Sequence, residues 1–220
     1  MKILDLGLVE YEKALSVQEG ILRDRIDNKI EDTLIVLEHV SVISMGRHGS
    51  DKSILDKEFF QNKGIEVVVS GRGGDITYHS PGQLVMYPVV SLGEKLRDVS
   101  KYIDFLEKTA RNALMEMGLK AQRYDDRRGV WVDGKKIAFI GVAFKKWVTY
   151  HGIAINIAND IEAFEHFNPC GERGISVTSV EKESGCVDMS ACKRIFIDRF
   201  EKDMEVYYGG VDGNNVAKTV

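Results

Sequence analysis

Apolar residues recur at helical spacing in three stretches of this chain, with strand-like runs between them. Tyr11, Leu15, Gln18, Leu22 and Ile26 trace one stripe and predict a first helix. Val99, Tyr102, Ile103, Leu106, Ala110, Ala113, Leu114 and Met117 predict the strongest helix, stopped at Gly118. A final helix is predicted from about Met189 to Tyr207, and a short one through LDKEFFQN ends at a Gly64 cap. TLIVLEH and SVISMG read as buried strands, and GIEVVV as a strand running into a Ser70–Gly74 turn. DITY and QLVMYPVV follow as strands joined by the turn HSPG. GVWV, KKIAFIGVAF, KWVTY and HGIAINI complete the series, with Asp133-Gly134 as a hairpin signal. Strands outnumber helices and arrive in blocks, so the expected class is α+β with mixed or antiparallel sheets and flanking helices. Residues 1–208 are expected to form a single domain and 209–220, GGVDGNNVAKTV, a flexible tail.

Composition narrows the function classes. The 220 residues are 44% hydrophobic and 29% charged, which suits one soluble globular domain. No apolar run approaches the ~20 residues of a membrane span, and the start MKILDLGLVEYEK turns acidic too early for a signal peptide, so a cytoplasmic location is expected. A net charge of −4 argues against nucleic acid or an anionic membrane as partner. Arg123, Arg127, Arg128, Lys135, Lys136, Lys145 and Lys146 nevertheless cluster in sequence. They read equally as solvated strand edges or as a docking face for an acidic protein. Three cysteines without a CxxC pair argue against a zinc site or disulfide framework.

Candidate chemistry gathers in two places. RGGDITYHSPGQLVMYP, Arg72 to Pro88, holds two of the three prolines and the pair Tyr78-His79. FNPCG sets Cys170 between the third proline, Pro169, and Gly171, where a stiff turn would present a thiol. The residues alone favour reading Cys170 as a small buried hydrophobe in a turn, the commonest fate of a free cysteine. Cys186 reads as a loop thiol and Cys192 as an inert helix residue. Alternation puts Lys136, Ala138 and Ile140 on one strand face and Lys135, Ile137 and Phe139 on the other, so one lysine points inward. His79 and His151 both follow tyrosine and read as a pocket wall or as structural histidines; His39, His48 and His166 have no comparable setting. Arg72-Gly73-Gly74 lacks the length and lysine of a phosphate loop.

Four ordered motifs, RGGDITYHSPGQLVMYP, GKKIAFIG, YHGIAINI and FNPCG, resemble those of the lipoyl(octanoyl) transferase family. The likeness runs from about Leu6 to the region of Val180. Ser80 stands where the family has glycine, and Phe139 where it commonly has a small residue. The resemblance implies the fold of biotin and lipoate protein ligases and an octanoyltransferase activity. Cys170 would be the acyl-thioester nucleophile and Lys136 the cation beside it. An ammonium about 4 Å from a thiolate gains on the order of 4 kcal/mol at an effective dielectric near 20, or about three pKa units. Arg72, Gly73, Gly74, Asp75, Ile76, Thr77, Tyr78, His79, Phe139, Ile140, Gly141, His151, Gly152, Ile153 and Ala154 would bind substrate. The implied donor is octanoyl-acyl-carrier protein. The implied acceptors are apo lipoyl domains of 2-oxoacid dehydrogenases and the glycine cleavage H protein. Such a reaction uses no cofactor and no metal. An ATP-dependent lipoate or biotin ligase and a non-enzymatic acyl or carrier-protein binding module are the rival readings.

Overall fold

The computed structural model describes residues 1–168, 174–185 and 187–212. Its helices are α1 (Tyr11–Ile26), α2 (Lys57–Asn62), α3 (Val99–Glu116), α4 (Val180–Ser184) and α5 (Met189–Asp212). The strands are β1 (Lys2–Val9), β2 (Thr33–His39), β3 (Val42–Met45), β4 (Glu66–Val69), β5 (Ile76–His79), β6 (Gln83–Val89), β7 (Ala121–Gln122), β8 (Val130–Val132), β9 (Lys135–Lys145) and β10 (Val148–Asn156). Seven strands form one sheet in the order β1-β2-β6-β10-β9-β8-β7, and three form a second in the order β4-β3-β5. Each sheet has one parallel pair, β1 with β2 and β3 with β4; the other pairings are antiparallel. The α+β class with mixed sheets is as expected.

Two-sided burial explains the unbroken apolar run of β2. Leu34 and Val36 join the core under α3 and α5, while Ile35 and Leu37 join the core under α1. Helix α3 forms because Tyr102, Leu106, Ala110, Ala113 and Leu114 stack on one buried face and Asp98 caps Lys101 N at 3.0 Å. It ends beside Gly118 at φ 85°. Phe60, Ile65, Ile76, Tyr78, Phe139 and Phe164 build a third core, which seats the small sheet against β9.

Sequence pattern and structure part in several places, and short β7 and α4 were not foreseen either. β1 went unrecognised because a register slip between Asp5 and Leu8, with Gly7 at φ 60°, breaks its alternation. KWVTY and HGIAINI are one strand, β10, in which His151 adopts φ 56° without breaking the ladder to β9. The turn between β5 and β6 carries the chain from the small sheet to the large one rather than closing a hairpin. Helix α5 continues to Asp212, past the expected start of the tail.

Candidate active site

The two sheets meet around a narrow cleft. Ile76, Thr77 and His79 of β5 face Phe139, Ile140 and Gly141 of β9, Gly152, Ile153 and Ala154 of β10, and Tyr87 of β6. Arg72, Gly74 and Asp75 close one end. The cavity between these residues is only about 30 Å³. Two glycines keep the packing around the cleft close, Gly152 within the large sheet and Gly141 against the Arg72 segment. A Cβ on Gly152 would collide with the Met86 carbonyl, and one on Gly141 would lie 3.0 Å from Arg72 Cδ.

Most expected substrate-binding residues therefore converge, with three exceptions. Gly73 lines the adjoining mouth instead. Tyr78 points the other way, because alternation along β5 sends it into the third core, where its ring meets Phe164 edge-on at 5.8 Å. The left-handed backbone at His151 puts its ring 5.8 Å from Tyr87 rather than in the cleft. Ser80 takes no positive φ; that demand falls on Gly82 at φ 88°, so the serine side chain is tolerated.

The polar residues at the end of the cleft mainly hold the scaffold. Arg72 Nε donates to Ser44 Oγ at 3.0 Å, Nη1 donates to Gly73 O at 3.0 Å, and Nη2 donates to Ser44 O. Gly73 N donates to Val142 O at 2.9 Å, so the turn spends that N–H on β9 rather than on a phosphate. Asp75 accepts from Ser50 N at 3.1 Å and from Ser53 Oγ at 2.6 Å. Ser53 O in turn accepts from Asn168 N at 2.8 Å.

A buried cluster of histidines and tyrosines backs the cleft. His79 Nδ1 donates to Gln83 Oε1 at 2.7 Å, which leaves Nε2 to accept from Ser44 Oγ at 3.1 Å. His39, set aside on sequence grounds, belongs here: its ring lies 5.3 Å from His79 and 4.9 Å from Tyr11. His39 Nδ1 donates to Val9 O at 3.2 Å and Nε2 accepts from Tyr87 OH at 2.9 Å. Burial pushes His39 down to about 4 and His151 down to about 3. Burial first, then the His39 charge, holds His79 well below the usual range. All three are neutral at neutral pH, which fits a wall and disfavours a proton shuttle. Tyr87 and His39 lacked any local sequence signal because both lie inside apolar strand runs.

Lys136 is the buried lysine of the pair, 2% exposed, while Lys135 is exposed and pairs with Glu183 at 2.9 Å. Simple alternation fails, however. The β8–β9 register slips between Val130 and Trp131, which pair with Ala138 and Lys136, so β9 carries an extra residue. The Lys136 ammonium consequently lies 5.1 Å from the Phe139 ring and 5.3 Å from the Trp131 ring. Its main chain is fixed by Ser176 O, which accepts from Lys136 N at 2.8 Å, and by Thr178 N, which donates to Lys136 O at 2.9 Å. Gly129, at φ 107°, packs beneath: a Cβ there would lie 2.7 Å from Lys136 Cε. Buried Glu107 of α3 pins that glycine, accepting from Gly129 N at 2.7 Å while pairing with Arg123 at 2.7 Å. Cys170 and Cys186 lie outside the described residues. Cys192 is buried, and burial raises its thiol above the ordinary value, which suits an inert residue.

The basic cluster does not survive as one face. Arg123 and Arg128 both pair with Asp104 at 2.9 Å, Lys135 pairs with Glu183, and Lys136 is buried. Lys145 and Lys146 remain exposed beside the β9–β10 turn.

A family model described as the lipoyl protein ligase A/B catalytic domain matches residues 10–201. An octanoyltransferase of Geobacter sulfurreducens is 42% identical over 84% of this chain and 76% of its own length. One from Caldicellulosiruptor bescii is 42% identical over 96% and 91%. Among solved structures, lipoate-protein ligase A bound with ATP superposes with a TM-score of 0.78 at 18% identity, covering 93% of this chain and 85% of its own. A biotin protein ligase from Aquifex aeolicus gives 0.56 at 12% identity, covering 94% and 70%. The structural likenesses establish the biotin/lipoate ligase fold, and the sequence relatives establish the branch. The chain belongs to the lipoyl protein ligase A/B catalytic-domain family and, within it, to the octanoyltransferases.

Proposed function

We propose that this acyltransferase moves an octanoyl group from octanoyl-acyl-carrier protein to a lysine of apo lipoyl domains, through a thioester on Cys170. The acceptors would be the lipoyl domains of 2-oxoacid dehydrogenases and the glycine cleavage H protein, and the reaction belongs in the cytoplasm. The observation that carries the reading is buried Lys136 in a strand whose residues Phe139 to Gly141 line a mainly apolar cleft. A lysine this far from water serves chemistry better than solubility.

The Cys170 thiolate attacks the donor carbonyl carbon, the new C–S bond forms, and the carrier thiolate leaves and takes a proton. The neutral amine of the acceptor lysine then attacks the acyl-enzyme. The amide forms, the Cys170 thiolate is expelled, and the amine proton passes to solvent or to the thiolate. Lys136 stabilises the thiolate in both halves by its charge. The segment that follows the nucleophile is laced to Lys136 through Ser176 and Thr178, and the one that precedes it to Ser53 through Asn168. Thioester exchange is nearly isoenergetic and amide formation is downhill, so no nucleotide enters.

Intact mass after incubation with octanoyl-acyl-carrier protein, in ATP-free and magnesium-free buffer, tests the reading. One octanoyl adduct is expected on the wild type and on Cys192→Ala, and none on Cys170→Ala. Turnover of Cys170→Ala within a few-fold of wild type would end the thioester scheme. Product from free octanoate only when ATP is added would install the ligase instead.

A further inference from the structure

The mouth of the acyl cleft carries more positive charge than acyl transfer uses. This wider cavity, about 490 Å³, is lined by Lys136 and by Arg47, Arg127 and Arg128, with Asp126 the one carboxylate among them. Arg128 is neutralised by Asp104 at 2.9 Å. Arg127 is not: Asp126 lies 3.9 Å away, at the limit of an ion pair. Its guanidinium packs instead over the rings of Tyr124 at 4.3 Å and Trp131 at 4.6 Å. Its Nε is buried and has no hydrogen-bond partner among the described residues. Arg47 is exposed and makes no ion pair among the described residues. Its backbone is nonetheless fixed, with Arg47 N donating to Arg72 O at 2.9 Å.

Two guanidiniums that line one cavity without strong acid partners, one of them packed on aromatic rings, suit the charge and donor needs of a phosphate group. Val99, Ile103 and Phe144 supply an apolar wall in the same cavity. The ligand that fits is an anion on a partly hydrocarbon stem. Resting on the transfer proposed above, the donor thioester hangs on such a stem: two amides, a gem-dimethyl carbinol and then a phosphate. We propose that Arg47 and Arg127 form the binding site for the phosphate of the donor's pantetheine arm. Val99 and Ile103 contact its dimethyl segment.

The probes are 4′-phosphopantetheine and pantetheine, bound to the full chain in a calorimeter. Phosphopantetheine should bind at least about tenfold tighter, and Arg127→Met with Arg47→Met should erase the difference. Arg47 is exposed, so Arg47→Met alone keeps the test decisive if Arg127→Met fails to fold. Equal binding of the two probes by wild type, or a preference that survives both substitutions, would overturn the assignment. So would ATP binding more tightly than phosphopantetheine and losing affinity in the same variants, because the pair would then serve a nucleotide. In acylation assays both substitutions should raise KM by the same factor for octanoyl-acyl-carrier protein and for octanoyl-coenzyme A, with kcat held. A loss confined to the carrier protein would place the arginines on its protein surface and overturn the site. If neither donor acylates the protein, the transfer reading fails while calorimetry still decides the phosphate site.

Discussion

Lys136 and Gly129 show how closely one side chain can be specified by its neighbours. Lys136→Met keeps the stem and removes the charge. Thiolate absorbance followed against pH should move toward the ~8.5 of free cysteine, and kcat should fall at least about a hundredfold. Lys135→Met removes only an exposed ion pair of about 0–1 kcal/mol and should leave both readouts unchanged. Equal effects from the two substitutions would remove Lys136 from its role. Gly129→Ala is the complementary test. At φ 107° a Cβ is strained, and it would lie 2.5 Å from Ala138 O and 2.7 Å from Lys136 Cε. A stability loss of more than about 2 kcal/mol in urea unfolding is expected, and a change within about 0.5 kcal/mol would contradict the packing. Alternation implied that one of the two lysines turns inward and the resemblance picked Lys136, but its company was not legible: an added residue in β9 put Phe139, not Ala138, against it. Bulges leave no mark in an apolar run.

Strands β2, β3, β5 and β6 bring His39, His79, Tyr87 and Ser44 together from positions far apart in sequence. Sequence periodicity showed most of the elements, because α3, α5 and the buried strands repeat cleanly, but not β1. It could not show which strands pair, since alternation fixes faces and not partners, and so the move from the small sheet to the large one between β5 and β6 stayed hidden. The cluster makes the fold sensitive to acid. All three folded-state histidine pKa values lie below the unfolded ~6.5, so their contribution is fully present above that pH. It is lost as pH falls from about 6.5 toward 4, by about 1.4 kcal/mol per histidine per unit. Urea unfolding at about pH 5.5 should therefore show roughly 4 kcal/mol less stability than at about pH 7.5. A flat profile across that window would mean that the histidines are not buried neutral.

At the scale of the whole molecule, the cleft is the seam between the two sheets. Phe139 narrows that seam: its ring stacks on Phe164 at 4.9 Å and 15° and also lines the cleft. Phe139→Ala should cost about 3 kcal/mol of stability and shift kcat/KM toward donors longer than eight carbons. An unmoved chain-length profile would assign the ring to structure alone.

The string from Asp75 through Ser53 to Asn168 has a mechanical consequence. Asp75 forms part of the cleft wall, and Asn168 lies two residues before Cys170. An acyl chain that presses the wall outward must strain or relieve those two bonds, so occupancy of the seam is felt at the backbone of Asn168. Bonds of this kind contribute about 0.5–1.5 kcal/mol each, which caps the leverage at about a hundredfold. Ser53→Ala cuts the string at its middle. The amide of Asn168 should then exchange its hydrogen at the same rate with and without octanoate, whereas in the wild type the fatty acid should slow it.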